Sequence, residues 1–319
     1  MSELLELQTN QPTLNFPVSV KSRVFGTSIT NLPNQLFPES KKGNDNVIFN
    51  NTLKLPLPKF VNPEEKDCLM EYKEDIITNL YGREDRRYYG YMKIQLDVTE
   101  RMREILLDWL VEVHWRFKLH PETLHLTANI IDKYLSKTVV LRNKLQLVGI
   151  AAMVIACKCE EVRPPELKDF VFITDSSFSG KEIIDMEYRL LKAVEFDLSG
   201  VTSYRFLQMI YNELGIEKVR VRLMAEYLIE LCLLQYEMLK YKPSLITHAA
   251  LSLAVRIVDR DKNWDKRNLK YKEQELKPLM KQMLILIQST DNNELKAVKK
   301  KYSQQEFMCI AHISFKKSN

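Results

Sequence analysis

"LVGIAAMVIA" at residues 147–156 has an echo at 245–254, "LITHAALSLA", 98 residues further on. A second pair, "LTANIIDKYL" at 126–135 and "MAEYLIELCL" at 224–233, is separated by the same 98 residues. Two independent stretches at one lag mark an internal duplication. The first copy is apolar on every side, and each copy carries an alanine pair at its middle, Ala151-Ala152 and Ala249-Ala250. A helix that is apolar all round is enclosed by others, and small central residues let its neighbours cross closely. The expected architecture is all-α, with two similar helical domains in tandem.

The flanking sequence continues the helical reading. Asp97 with Glu100 reads as a capping box before "MREILLDWLVEVHWRF", in which Met102, Ile105, Leu106, Trp109, Leu110, Val113 and Phe117 form one apolar stripe. Pro121 opens the next helix. Ser179 with Glu182 is a further capping box, and it starts a helix with Ile183, Met186, Leu190, Leu191 and Val194 inward. Only eight glycines occur and period-2 alternation is scarce, so strands have little support. Seven of the twelve prolines lie between Pro12 and Pro63 among many Asn, Thr and Ser, which predicts a disordered tail over 1–62. Asn62-Pro63-Glu64-Glu65 reads as the first helix start, and Gly82 as the stop of that helix.

The chain has 319 residues, 45% hydrophobic and 28% charged, an ordinary globular composition. Its net charge of +5 permits contact with nucleic acid without arguing for it. Five scattered cysteines imply no disulfide framework, and a reducing compartment is expected. The N-terminus lacks a secretory pattern, and the longest apolar run, Leu147 to Cys157, is too short for a membrane span. A protein of nucleus and cytoplasm is expected.

"ACKCEE" at 156–161 looks at first like a thiol or metal site. On a helix, however, residues i and i+2 point about 200° apart, so Cys157 and Cys159 cannot share a metal. Both read as buried packing cysteines. Lys158 is the odd residue, an ammonium ending an otherwise apolar helix. Glu187 is odd in the same way, on the apolar side of its own helix between Ile183 and Leu190. Either the two are rim residues that pair with each other, or both face a partner.

No nucleotide-binding loop, zinc-protease or nucleophile-elbow motif occurs. The five histidines form no ligand spacing, and His248 reads as a hydrogen-bonded core residue. Glu160 and Glu161 diverge on a helix, and the lysine run Lys296, Lys299, Lys300, Lys301 reads as a solvated face. No cofactor, no metal and no enzymatic activity are expected.

"MREILLDWLVEV" (102–113) and "KLQLVGIAAMVIACKCEEVRPPELKDFVFITD" (144–175), with "GYMKIQLDVT" (90–99) and "YEMLKYKPS" (236–244), resemble the cyclins. Within that family they resemble the A/B-type mitotic class, the last two stretches leaning toward the A-type. The resemblance runs from about Tyr72 to about Tyr302. It implies two tandem five-helix cyclin boxes behind an N-terminal helix and the tail: 1–62 tail, 63–198 helix and first box, 199–319 second box and C-terminal segment. It also implies a role, binding and activating a cyclin-dependent Ser/Thr kinase as its non-catalytic partner in a heterodimer.

By the same resemblance, Lys158, Glu187, Phe196, Leu198 and Tyr72 are kinase contacts. Met102, Ile105, Leu106, Trp109, Leu145 and Gln146, rimmed by Glu112, match a groove that docks R-x-L substrates or inhibitors. Read without the family, the same apolar residues are ordinary core. Three departures stand out: Asn79 where an aromatic is expected, Cys159 in place of an aromatic, and Glu104 in place of a small residue, expected in solvent. In the tail, "RVFGTSITN" (23–31) places Arg23, Ile29 and Asn31 as in a destruction box but has Gly26 where leucine belongs. It is either a route to ubiquitin-ligase machinery or a chance likeness. The alternative class, a DNA-binding transcription factor on the same tandem fold, should carry a zinc ribbon and a strongly basic face, and this sequence has neither.

Overall fold

The computed structural model describes residues 72–84, 88–213, 218–259, 270–290 and 293–313. The tail, the helix start at Asn62-Pro63 and Arg23, Ile29 and Asn31 lie outside the described residues. Those described hold eleven α-helices and no strand. A leading helix, α1 (Lys73–Arg83), runs through Gly82 rather than stopping there and ends one residue later. Five helices follow in the first domain: α2 (Glu100–Arg116), α3 (Pro121–Leu135), α4 (Leu145–Glu160), α5 (Leu167–Ile173) and α6 (Gly180–Ala193). The second comprises α7 (Ser203–Glu213), α8 (Val219–Leu234), α9 (Pro243–Val258), α10 (Glu273–Ser289) and the short α11 (Ala297–Tyr302).

A shift of 98 residues carries α3 onto α8 and α4 onto α9, and places α2 over α7 and α6 over α10. The duplication is therefore structural. Central α4 is buried from Leu145 to Cys157 and packs against α2, α3, α5 and α6. Its counterpart α9 packs against α7, α8 and α10. All four central alanines are fully buried. Gly149 marks the closest approach, since a Cβ there would stand 2.8 Å from a methyl of Leu106 on α2.

Caps fix where the helices begin. Ser179 and Glu182 form the expected reciprocal box at α6, and Pro121 occupies the first turn of α3. At α2 the cap is Thr99, whose hydroxyl accepts from Met102 N at 3.3 Å, and not Asp97. Arg142 offers Asp97 a charge-assisted partner, Nε at 2.7 Å and the backbone N at 2.8 Å, and takes it away from the helix. Glu161 does a capping job the sequence did not reveal. Its carboxylate accepts from His120 N at 2.7 Å and Thr123 Oγ1 at 2.6 Å, at the start of α3.

Buried polar contacts join the two domains. Arg103 is fully buried beside the α2 stripe; its Nε and Nη2 each donate to Asp132 at 2.7 Å. Its Nη1 donates to the carbonyls of Leu233 and Leu234 at the end of α8, at 3.2 and 3.0 Å. Tyr91 completes the group with a 2.7 Å hydrogen bond to Asp132. Glu122 on α3 accepts from Thr202 and pairs with Arg205 at 3.1 Å, while Glu160 takes the same guanidinium at 2.9 Å. The lysine run is not uniformly solvated: Lys301 is buried, donating to Glu230 at 2.6 Å, and Tyr302 donates to the same oxygen at 2.8 Å. The reason is α11's own period, which turns Ala297, Val298, Lys301 and Tyr302 inward together.

Candidate functional site

Lys158 lies in the last turn of α4, where the buried helix reaches the surface. Its ammonium donates to Glu187 on α6 at 2.5 Å, the two side chains being 56% and 13% exposed. Pairing and facing outward are thus compatible: Glu187, the more buried partner, holds the ammonium on one side while much of the lysine stays in water. The neighbouring sulfurs differ. Cys157 is buried, its thiol pushed up to about 12 by burial, whereas Cys159 is exposed and does not pack as expected. The 200° turn that rules out a shared metal also sends one sulfur inward and the other out.

The elements that carry this pair also expose large apolar side chains. Val162 is 98% exposed just beyond α4, and Ile184 and Tyr188 flank Glu187 on α6 with their side chains in solvent. Phe196 is 65% exposed in the turn that ends α6. That turn holds two successive non-glycine residues in the left-handed region, Glu195 (φ 58°) and Phe196 (φ 55°). Such a conformation costs about 1–3 kcal/mol and persists where the surroundings enforce it. Here Phe196 N donates back to Leu191 O at 2.9 Å, and the Glu195 and Asp197 carboxylates take Lys137 and Lys133 at 2.6 and 3.0 Å. Leu198 is half-buried against the core, so of the two expected apolar contacts Phe196 is the one that faces solvent. At the end of α1, Arg83 bonds Ser199 and reaches Asp197 at 3.8 Å. Tyr72 and Ile76 are exposed at the other end of α1, and Asn79 is exposed between.

The second expected surface is more closed. Leu106 and Leu145 are fully buried and belong to the core beneath α2 and α4. Trp109 and Gln146 are also buried, and Trp109 Nε1 and Gln146 Nε2 are donors without a partner among the described residues. Met102 and Ile105 are half-buried. Glu104 is not in open solvent; it folds against Arg101 at 3.1 Å with 18% exposure. Glu112 is half-buried with Lys300 at 3.8 Å. Asp108, between them on α2, accepts from Ala297 N at 3.0 Å, and burial pushes its carboxyl up to about 7.

The remaining titratable groups are structural. Burial holds the His125 ring down at about 3 and His114 well below its ordinary value. It raises Glu122 to about 8 despite the Thr202 and Arg205 donors. His248 is a core residue bonded through Nδ1 to Ser244 O at 2.8 Å, as expected. A cavity of about 110 Å³ between the domains is lined by Arg83, Lys133 and Asp197, which pair among themselves. Among the described residues no group of three or more His, Cys, Asp or Glu is arranged to hold a metal, and no helix is long and apolar enough to cross a membrane.

Duplicated all-helical domains, each round a buried central helix, with an exposed ion pair at the end of the first, define a cyclin-fold class. Family models agree: "Cyclin, N-terminal domain" matches residues 75–199 and "Cyclin, C-terminal domain" residues 201–316. The chain belongs to the cyclin family. It is 41% identical over 260 residues to a G2/mitotic-specific cyclin-B of Marthasterias glacialis, covering 80% of this chain and 66% of that one. It is 40% identical over 225 residues to cyclin-B2-2 of Oryza sativa subsp. indica, covering 70% of this chain and 54% of that one. These names fall within the A/B mitotic class, on its B side. The chain thus spans between about half and two thirds of the length of these relatives. The solved structure of a viral cyclin from Herpesvirus saimiri superposes with a TM-score of 0.54 at 25% identity, covering 72% of this chain and 97% of that one.

Proposed function

We propose that this chain is the regulatory subunit of a cyclin-dependent Ser/Thr kinase, a mitotic-class cyclin that switches its partner on during the cell cycle. The observation that carries the reading is the Lys158–Glu187 pair, with exposed Ile184 and Tyr188 on the helix of Glu187, Val162 just past the helix of Lys158, and Phe196 in the turn after α6. Several large exposed apolar side chains on the elements that carry a partly desolvated charge pair are the composition of a protein interface. Tyr72 and Ile76 extend this composition along α1.

Activation follows from differential affinity. A subunit of this kind contributes no atoms to phosphoryl transfer. It binds the kinase's active arrangement more tightly than its inactive one, and so helps seat the kinase's own Lys–Glu pair and activation segment. Moving an equilibrium from 1:99 to 99:1 takes about 5.5 kcal/mol of differential affinity. Four or five apolar anchors and one charge pair whose disruption costs about 2–5 kcal/mol are an adequate source.

The test exchanges the charges, Lys158→Glu with Glu187→Lys, which keeps the internal pair but inverts what a partner meets. Co-purification of the kinase should be lost while helical circular dichroism is retained. Full retention of kinase binding would remove this face from the interface.

The same reading extends to a second surface and to the tail. Met102, Ile105, Trp109, Gln146 and Glu112 would dock an extended R-x-L peptide, with Trp109 Nε1 and Gln146 Nε2 as the donors that a small shift makes available to its backbone. Arg23, Ile29 and Asn31 would present the chain to ubiquitin-ligase machinery. Nucleus and cytoplasm are the compartments where such a subunit meets its kinase.

A further inference from the structure

We infer that Lys300 sets the specificity of the second surface, so that it accepts an extended peptide anchored by apolar side chains without requiring a basic residue opposite Glu112. This rests on the peptide-docking reading above. The C-terminal segment lies along α2 and meets it at Arg101 (Glu294, 3.2 Å), Asp108 (Ala297 N, 3.0 Å), Glu112 (Lys300, 3.8 Å) and Trp115 (Glu306, 2.6 Å). Positions 101, 108, 112 and 115 share one helix face with 105, the face of the half-buried Ile105.

The placement of Lys300 is imposed by its neighbours. Lys301 and Tyr302 are anchored on buried Glu230, and Asp108 holds the start of α11 through Ala297 N. With both ends of this short helix fixed, residue 300 is left on the side turned to α2. Its side chain is 42% exposed and that of Glu112 23%. Glu104, one turn or two before, has its own cation in Arg101 at 3.1 Å. The carboxylates that could attract a guanidinium along this face are therefore already matched from within the chain. An incoming arginine must displace Lys300 and gains little; the apolar anchors at Met102 and Ile105 are unaffected.

The test measures anisotropy of two labelled peptides on the full chain, identical except for arginine or alanine two residues before the anchoring leucine. Wild type should bind both to within about twofold. Lys300→Ala should tighten the arginine peptide roughly two- to fivefold, the range of an exposed ion pair, and leave the alanine peptide unchanged. In a Glu112→Gln background the same substitution should have no effect, and Lys281→Ala on α10 should be silent throughout. If wild type already prefers the arginine peptide by about tenfold or more and Lys300→Ala does not alter that ratio, Lys300 has no such role though the groove stands. If neither peptide binds any variant, the docking reading falls and this inference with it.

Discussion

Arg103 has no surface in water, yet its charge is matched by Asp132 in the same domain and by two carbonyls at the end of α8 in the other. A buried ion pair contributes little relative to well-packed apolar residues, but removing one member strands the other. Asp132→Ala should therefore lower stability by about 3–5 kcal/mol, read from the midpoint of urea unfolding. The double change Arg103→Met with Asp132→Leu should recover most of that loss. At the same scale the two neighbouring cysteines should separate cleanly. A maleimide at neutral pH should label Cys159 and spare Cys157, as peptide mass spectrometry would show, and kinase binding at the proposed face should protect Cys159.

At the scale of elements, the central helices are the least tolerant parts. Ala151→Leu or Ala249→Leu puts three extra carbons where neighbouring helices already touch, and should cost about 1–3 kcal/mol or more in thermal unfolding. These helices were also the most legible in the sequence, because an all-round apolar run repeated at a fixed lag admits one physical reading. The Ser179 box and Pro121 were legible for a similar reason, being short-range signals with local partners. What was hidden depends on distant partners. Arg103 sits one residue from Met102 and looks like a surface arginine until Asp132 and α8 are brought to it. Asp97 looks like a cap until Arg142 competes for it, and Lys301 looks like one of four solvated lysines until Glu230 turns up beneath α11. The Lys158–Glu187 pair was visible as two misplaced charges. Their mutual contact required the packing of α4 against α6.

For the whole molecule, stability should vary with pH through groups buried where the domains meet. His114 and His125 are held neutral in the fold, but in the unfolded chain their rings protonate near 6.5. The unfolded state therefore binds more protons below that pH. The stability contributed by the neutral rings is complete above about 6.5 and falls as pH drops toward 3. Glu122 acts in the opposite sense: raised to about 8, it adds stability that is complete below 4.5 and fades as pH rises through 8. Unfolding midpoints across pH should trace a dome; His125→Gln should flatten its acid limb and Glu122→Gln its alkaline limb.

The position of α11 bears on how the chain is made. Helix α2 begins at Glu100 but is covered by residues 297–302, so the first domain is finished by a stretch that leaves the ribosome only after α3 to α10. At a synthesis rate of about 5–20 residues per second, one flank of α2 stays uncovered for roughly ten seconds or more while α3 to α10 emerge. During that interval the nascent chain presents Asp108 and Glu112 without their final partners, a natural point of engagement for chaperones. A chain cut short before Ala297 would remain in that unfinished state, and quality control would meet it as a first domain that never closed.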